Sequence, residues 1–284
     1  MNWTNLVSAE VLAAQLGEPE LRVVDARFML GNAAGGECAW REAHLPGAGY
    51  AHLDRDLSDH RKPPALGRHP LPEAEDFCAV LERLGISPNS QVVVYDAADG
   101  AMAAARFWWL LNLLGHENVA VLDGGFARWN ALGLPIETST PTITPGHYHA
   151  QFDKTKITGT DEISARASES PGWLLDARAS ERFRGDVEPL DRIAGHIPGA
   201  VNRPYSANLR DGRFLPANEL RGQFLTLIGL HSPTQIVLSC GSGVTACHNL
   251  LAMEYAGLTG ARIYAASYSG WSSDPTRAIA TGDV

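Results

Sequence analysis

Residues 236–251 read IVLSCGSGVTACHNLL, and this stretch decides both the fold class and the place where chemistry is expected. Ile236, Val237 and Leu238 form an apolar run, short enough for a buried strand. Gly241, Ser242 and Gly243 make a tight turn that only small residues tolerate. From Val244 onward the spacing of Val244, Leu250, Leu251 and Met253 suits a helix. Cys240 therefore stands between a strand and the first turn of a helix. There it faces unpaired backbone N–H groups and the positive end of the helix dipole. Those groups favour a negative sulfur and make it a nucleophile. The competing reading is a buried structural cysteine, since free Cys is often core.

Outward from Cys240, the chain repeats itself once. LRVVDAR (21–27) recurs as WLLDAR (173–178), and HLPGA from His44 recurs as HIPGA from His196. QVVVYDAADG from Gln91 recurs as QIVLSCGSG from Gln235, and GGFARW ending at Trp129 recurs more weakly as SYSGW ending at Trp271. The matches keep their order at separations of about 150 residues, which marks duplication of a whole domain rather than a short-period solenoid. Residues 135–150, PIETSTPTITPGHYHA, lack periodicity and are rich in Pro, Thr and Gly, as a linker would be. The expected organisation is a first domain over 1–134, a linker over 135–155 and a second domain over 156–284.

In each half, short apolar strands (VVDA, VVVYD and VAVLD in the first) alternate with amphipathic stretches such as EDFCAVLERLG and AAARFWWLLNLLG. This predicts an α/β fold, two tandem domains each with a mainly parallel sheet flanked by helices. Ligands in such sheets bind outside the carboxyl ends of the strands, where Cys240 lies. The duplication is asymmetric: the first half has Asp96 where the second has Cys240. A carboxylate there points to a half that kept the fold without the chemistry, supplying packing and one wall of a cleft. Trp108 and Trp109 read as core aromatics on a buried helix.

Composition narrows the function classes. The chain has 284 residues and a formal net charge of −9, which argues against a nucleic-acid or anionic-membrane partner held by bulk electrostatics. No apolar run is long enough for a membrane span. The start of the chain reads as a helix capped by Ser8 rather than a signal peptide. Cysteines at 38, 78, 240 and 247 make neither a disulfide framework nor a zinc pattern, so a reducing, cytoplasmic setting and no metal are expected. Cys247, a turn into the helix, reads as a core residue.

The paired HxPGA motifs, the DAR strands, the duplicated halves and CGSGVTA closely resemble the tandem-domain rhodanese family of sulfurtransferases, and within it the 3-mercaptopyruvate sulfurtransferases. The resemblance covers nearly the whole chain. It implies that Cys240 takes a sulfane sulfur from a small-molecule donor as a persulfide and passes it to a thiol, cyanide or another acceptor, such as a small thiol or a thioredoxin-like protein. It implies no metal or organic cofactor, and a persulfide cradled by the backbone of Gly241, Ser242, Gly243, Val244 and Thr245. Thiosulfate-preferring relatives carry basic side chains in this loop; here it has none, which favours mercaptopyruvate. The family holds that donor with arginines from the segment before the second HxPGA, here ERFRGDVEPLDRIAGHIPGA. Arg182 matches the first. The second usually follows Glu-Pro, where Leu190 stands, and the nearest arginine is Arg192.

The resemblance also implies a Ser–His–Asp relay that protonates the pyruvate enolate: Ser242, with His69 and Asp56 from AHLDRDLSDHRKPPALGRHPLP. The spacing from Asp56 to His69 is longer than the family's, so an insertion lies between them, and His60 and Asp59 are rivals. A second departure is YAASYSGW (264–271), where Tyr268 replaces a family Trp and Gly270 a Glu. Other classes fare worse. A Cys-x5-Arg phosphatase loop would need its arginine at Ala246, and a non-catalytic rhodanese-like module would have lost the cysteine. The standing alternative is a thiosulfate:cyanide sulfurtransferase on the same scaffold.

Overall fold

A computed structural model describes residues 2–283. The chain forms two compact units that are not contiguous in sequence. The first gathers the chain up to Asp59 with Pro72–Asp153 and Asp211–Phe214; the second gathers His60–Leu71, Lys154–Arg210 and the chain from Leu215 onward.

In the first unit, β1 (Leu6–Val7), β2 (Leu21–Asp25), β3 (Gly49–Tyr50), β4 (Gln91–Tyr95) and β5 (Val119–Leu122) form one parallel sheet in the order β1-β5-β4-β2-β3. The β4 residues are buried throughout, as a central strand covered on both faces requires. Ser8 caps α1 (Ala9–Ala13) by accepting from the Val11 N–H. The expected helices form as α4 (Ala74–Arg83) and α5 (Ala104–Leu113), and Trp108 and Trp109 are buried on α5.

The second unit repeats the plan. Its parallel sheet contains β6 (Leu174–Asp176), β7 (Ala200–Asn202), β10 (Val237–Ser239) and β11 (Arg262–Ile263), ordered β11-β10-β6-β7. Strands β8 (Leu209–Arg210) and β9 (Arg213–Phe214) fall between β7 and β10 in sequence. Where the first sheet has β1, the second has a single parallel bridge, Ile157 to Ile263. Among the described residues no helix is long and apolar enough to cross a membrane.

The repeated motifs carry repeated interactions. Each DAR strand ends in a buried ion pair, Asp25–Arg27 at 2.7 Å and Asp176–Arg178 at 2.8 Å. Removing one partner of such a pair leaves a buried lone charge and costs about 3–5 kcal/mol. Each HxPGA histidine makes a backbone contact through Nδ1, His44 to Trp40 O at 2.6 Å and His196 to Phe183 O at 2.8 Å. Trp129 and Trp271 each donate through Nε1 to a carbonyl a few residues on, Pro135 O and Ala278 O. These three repeated motifs are thus frame rather than chemistry.

Asp96 follows β4 as Cys240 follows β10. The loop N–H groups close on its carboxylate: Ala98 (3.3 Å) and Gly100 (2.9 Å) donate to Oδ1, and Met102 (3.2 Å) to Oδ2. Burial, aided by nearby Asp99, pushes this carboxyl up from 3.8 to about 6 against those three donors. The folded protein therefore holds the Asp96 proton to higher pH than the unfolded chain does. The stability this confers is full below 3.8 and is lost as pH rises through about 6. Asp96→Asn cannot titrate. In paired urea melts, wild type should lose up to about 3 kcal/mol relative to this variant between about pH 4 and pH 7. A difference that stays constant over that range would contradict the assignment.

Candidate active site

Cys240 leaves the end of β10 and is 1 % exposed. The chain then turns through Gly241–Val244 into α10 (Ala246–Tyr255), with Thr245 at its N-cap. The Gly243 N–H points back and donates to Cys240 Sγ at 3.1 Å. Gly243 has φ +77°, and a Cβ there would stand 2.3 Å from Ala265 O, so glycine is required on both counts.

A second turn braces the loop from outside. The Cys240 N–H donates to Ser267 Oγ (3.1 Å), which in turn donates to Tyr264 O (2.9 Å). The Tyr268 and Ser269 N–H groups donate to Cys240 O and Gly241 O, each at 2.9 Å. Ser267 has φ +51°, uncommon for a residue with a side chain, and is completely buried at the head of α11 (Ser267–Trp271). Tyr268 lays its ring 4.0 Å from the Arg178 guanidinium and donates to Ile193 O at 2.8 Å. Burial raises its phenol to about 12, so it stays a neutral donor. Cys247 is buried in α10 and donates to Gly243 O.

The expected site residues separate into those the structure gathers and those it does not. His69 Nδ1 lies 3.0 Å from Ser242 Oγ, and both are buried. His60 is exposed, its ring edge-on to His69 with centroids 5.8 Å apart. Asp56 has both oxygens engaged inside the first unit: Oδ2 accepts the His52 N–H at 2.7 Å, and Oδ1 pairs with Arg83 at 2.9 Å. It lines a first-unit cleft of about 640 Å³ with Glu37, Arg55 and Arg83. Asp59 is buried.

Arg182 reaches the loop. Its Nη1 lies 3.5 Å from the point where a Cβ on Gly241 would stand. Arg192 is exposed. The other guanidinium at Gly241 belongs to Arg68, whose Nη2 is 3.2 Å from the same point. The loop carries no cation of its own, and the cations beside it come from elsewhere in the chain. Two arginines from separate segments meet at Gly241, and a loop sequence cannot show what folds against it.

Both arginines are tied to buried carboxylates. Asp191 bridges them, Oδ1 to Arg68 Nη1 at 2.7 Å and Oδ2 to Arg182 Nη2 at 3.0 Å. Glu188 takes the Arg182 Nε and Nη2 edge at 3.2 and 2.7 Å. Burial works against the Glu188 charge, but Arg182 and the Leu190 and Asp191 N–H groups outweigh it and hold the carboxyl below its usual range. Glu188 also faces Arg178 at 3.4 Å. Arg68, Arg178 and Arg182 are thus matched by Asp176, Glu188 and Asp191.

Comparison with known proteins agrees with this geometry. The rhodanese-like domain family matches residues 8–132 and again 160–274. A probable 3-mercaptopyruvate sulfurtransferase of Pseudomonas aeruginosa is 45% identical over the full length of both chains. A putative thiosulfate sulfurtransferase of Mycobacterium tuberculosis is 38% identical over 98% of this chain and 97% of its own. The solved structure of 3-mercaptopyruvate sulfurtransferase from Leishmania major superposes with a TM-score of 0.82 at 31% identity, over 95% of this chain and 74% of that one. With two matched domains and relatives aligned from end to end, this chain belongs to the rhodanese family of sulfurtransferases, on the 3-mercaptopyruvate sulfurtransferase branch.

Proposed function

We propose that this enzyme moves sulfur from 3-mercaptopyruvate, through a Cys240 persulfide, to a thiol acceptor, and releases pyruvate. The observation that carries the reading is Cys240 Sγ held in a strand-to-helix loop with an N–H aimed at it, the Ser242–His69 contact on one side and two guanidinium groups on the other.

The chemistry balances without a further reagent. The Cys240 thiolate attacks the donor's sulfur, and an S–S bond forms. The C–S bond breaks with its electron pair remaining on carbon, so sulfur is oxidised to the sulfane level and carbon is reduced. The donor's thiol proton ends on that carbon, giving pyruvate. In the second step an acceptor thiol attacks the outer sulfur and leaves as a persulfide, restoring Cys240. The inward-pointing Gly243 N–H suits the anionic sulfur in both steps. In the first, Ser242 passes its hydroxyl proton to the enolate carbon and is reprotonated through His69, whose proton the donor's thiol restores. The acceptor class is a small thiol or a thioredoxin-like protein.

A thiosulfate donor is the second reading, favoured by one observation: Arg68 and Arg182 stand beside Gly241. Three carboxylates already balance the three arginines there. A compact dianion would enter a cluster with no net positive charge, whereas a monocarboxylate needs only unspent hydrogen-bond donors. Steady-state kinetics with both donors on purified enzyme decides. Mercaptopyruvate should give the higher kcat/KM, and higher efficiency with thiosulfate would replace the first reading with the second.

Two variants probe the loop. Cys240→Ser should fold normally and lose turnover with every donor, because a hydroxyl cannot carry sulfane sulfur; retained turnover would remove Cys240 from the mechanism. Gly243→Ala forces a side chain into the left-handed region, at roughly 1–2 kcal/mol, and against Ala265 O. It should lower Tm and cut kcat/KM at least about tenfold by turning the 243 N–H off the sulfur. Wild-type activity in this variant would show that the contact is incidental.

A further inference from the structure

We propose that Arg68 is the anchor for the donor's carboxylate, a role resting on the mercaptopyruvate reading above. A guanidinium binds a carboxylate best through two parallel N–H groups, and its Nε–Nη2 edge is one such fork. On Arg182 that edge is spent on Glu188, whose side chain is only 3% exposed. Arg182 keeps Nη1 toward Gly241.

Arg68 is spent the other way round. Its Nη1 donates to Asp191 Oδ1 at 2.7 Å and reaches Leu190 O at 3.5 Å. Its Nε is buried and has no hydrogen-bond partner among the described residues. Its Nη2 abuts Gly241, the residue next to the nucleophile. A buried, unpaired N–H is costly and uncommon. Here it forms half of a carboxylate-binding fork beside the reacting sulfur.

The surrounding chain is shaped to put Arg68 there. A 3-10 turn at Pro64–Leu66 precedes it. A Cβ on Gly67 would stand 2.5 Å from Ala266 O, and one on Gly270 would stand 2.8 Å from Ala65 O. The two glycines let this turn lie directly on α11. The Arg68 N–H then donates to Ser269 Oγ at 2.9 Å, and the Ser269 N–H holds Gly241 O. Gly270, where the family resemblance has Glu, leaves the room that the turn before Arg68 occupies. Asp191, buried beneath both arginines, is the positioning residue that fixes Arg68 Nη1 and leaves the fork toward the loop.

The test compares wild type with Arg68→Gln and Arg68→Lys, using mercaptopyruvate and a carboxylate-free donor, 2-aminoethyl persulfide. Pyruvate binding is measured separately by calorimetry on proteins that also carry Cys240→Ser. Arg68→Gln should raise the KM for mercaptopyruvate and weaken pyruvate binding about 10- to 100-fold, with a much smaller change in kcat. Turnover of the persulfide donor should fall far less than that of mercaptopyruvate. Arg68→Lys should recover only part of the loss, since it keeps the charge but not the fork. Unchanged pyruvate binding in Arg68→Gln, no pyruvate binding at all, or equal losses with both donors would overturn the anchor. A wild type that binds pyruvate through Arg68 yet does not turn over mercaptopyruvate would sink the donor reading and leave the anchor standing.

Discussion

The hydrogen bond from the Gly243 N–H to Cys240 Sγ is the contact on which the site depends. It exists because residue 243 takes a positive φ and packs its bare Cα against Ala265 O. That conformation folds the loop back on the sulfur before α10 begins. The outer turn at Ser267–Ser269 then fixes the loop's other backbone groups, so that the inward N–H remains for the sulfur. The first unit shows the same loop solving the same problem differently. Its N–H groups close on the Asp96 carboxylate, an anion built into the chain. The two halves share a turn whose N–H groups point at one side chain, a carboxylate in the first and the sulfur in the second.

Around the loop, charge is balanced rather than accumulated. Glu188 and Asp191 hold Arg182 and Arg68 in place, and Arg178 with Asp176 extends the cluster into the frame of the sheet. Such a cluster recognises an anion by the hydrogen bonds it still has to give, not by net potential. In the proposed reading, that distinction separates a small keto acid from a dianion at the same cysteine.

Much of the fold was legible in the sequence. Strands at VVDA, VVVYD and VAVLD and the strand–turn–helix around Cys240 follow from apolar periodicity and small turn residues, which are local properties. The order of the second sheet repeats that of the first because the core-bearing motifs were duplicated whole. The site was legible only where a motif is local. Ser242 is two residues from Cys240. His69 meets it because the segment 60–71 leaves its sequence neighbours and packs in the second unit, a long-range event that spacing cannot encode. Asp56 stays behind with Arg83 and His52, and Arg192 points to solvent. The proposed anchor Arg68 was missed although it directly precedes His69. The available signal was two departures from the family resemblance, the longer segment before His69 and the glycine at 270, which lie against each other in the fold.

The central claim is that Cys240 is the sulfur carrier and that its loop holds a persulfide anion. The most direct measurement is intact-mass spectrometry with peptide mapping, after exposure to 3-mercaptopyruvate without an acceptor. The account predicts the gain of one sulfur atom, located on Cys240 and removed by added thiol. An unmodified mass, or sulfur found on Cys38, Cys78 or Cys247 instead, would contradict it.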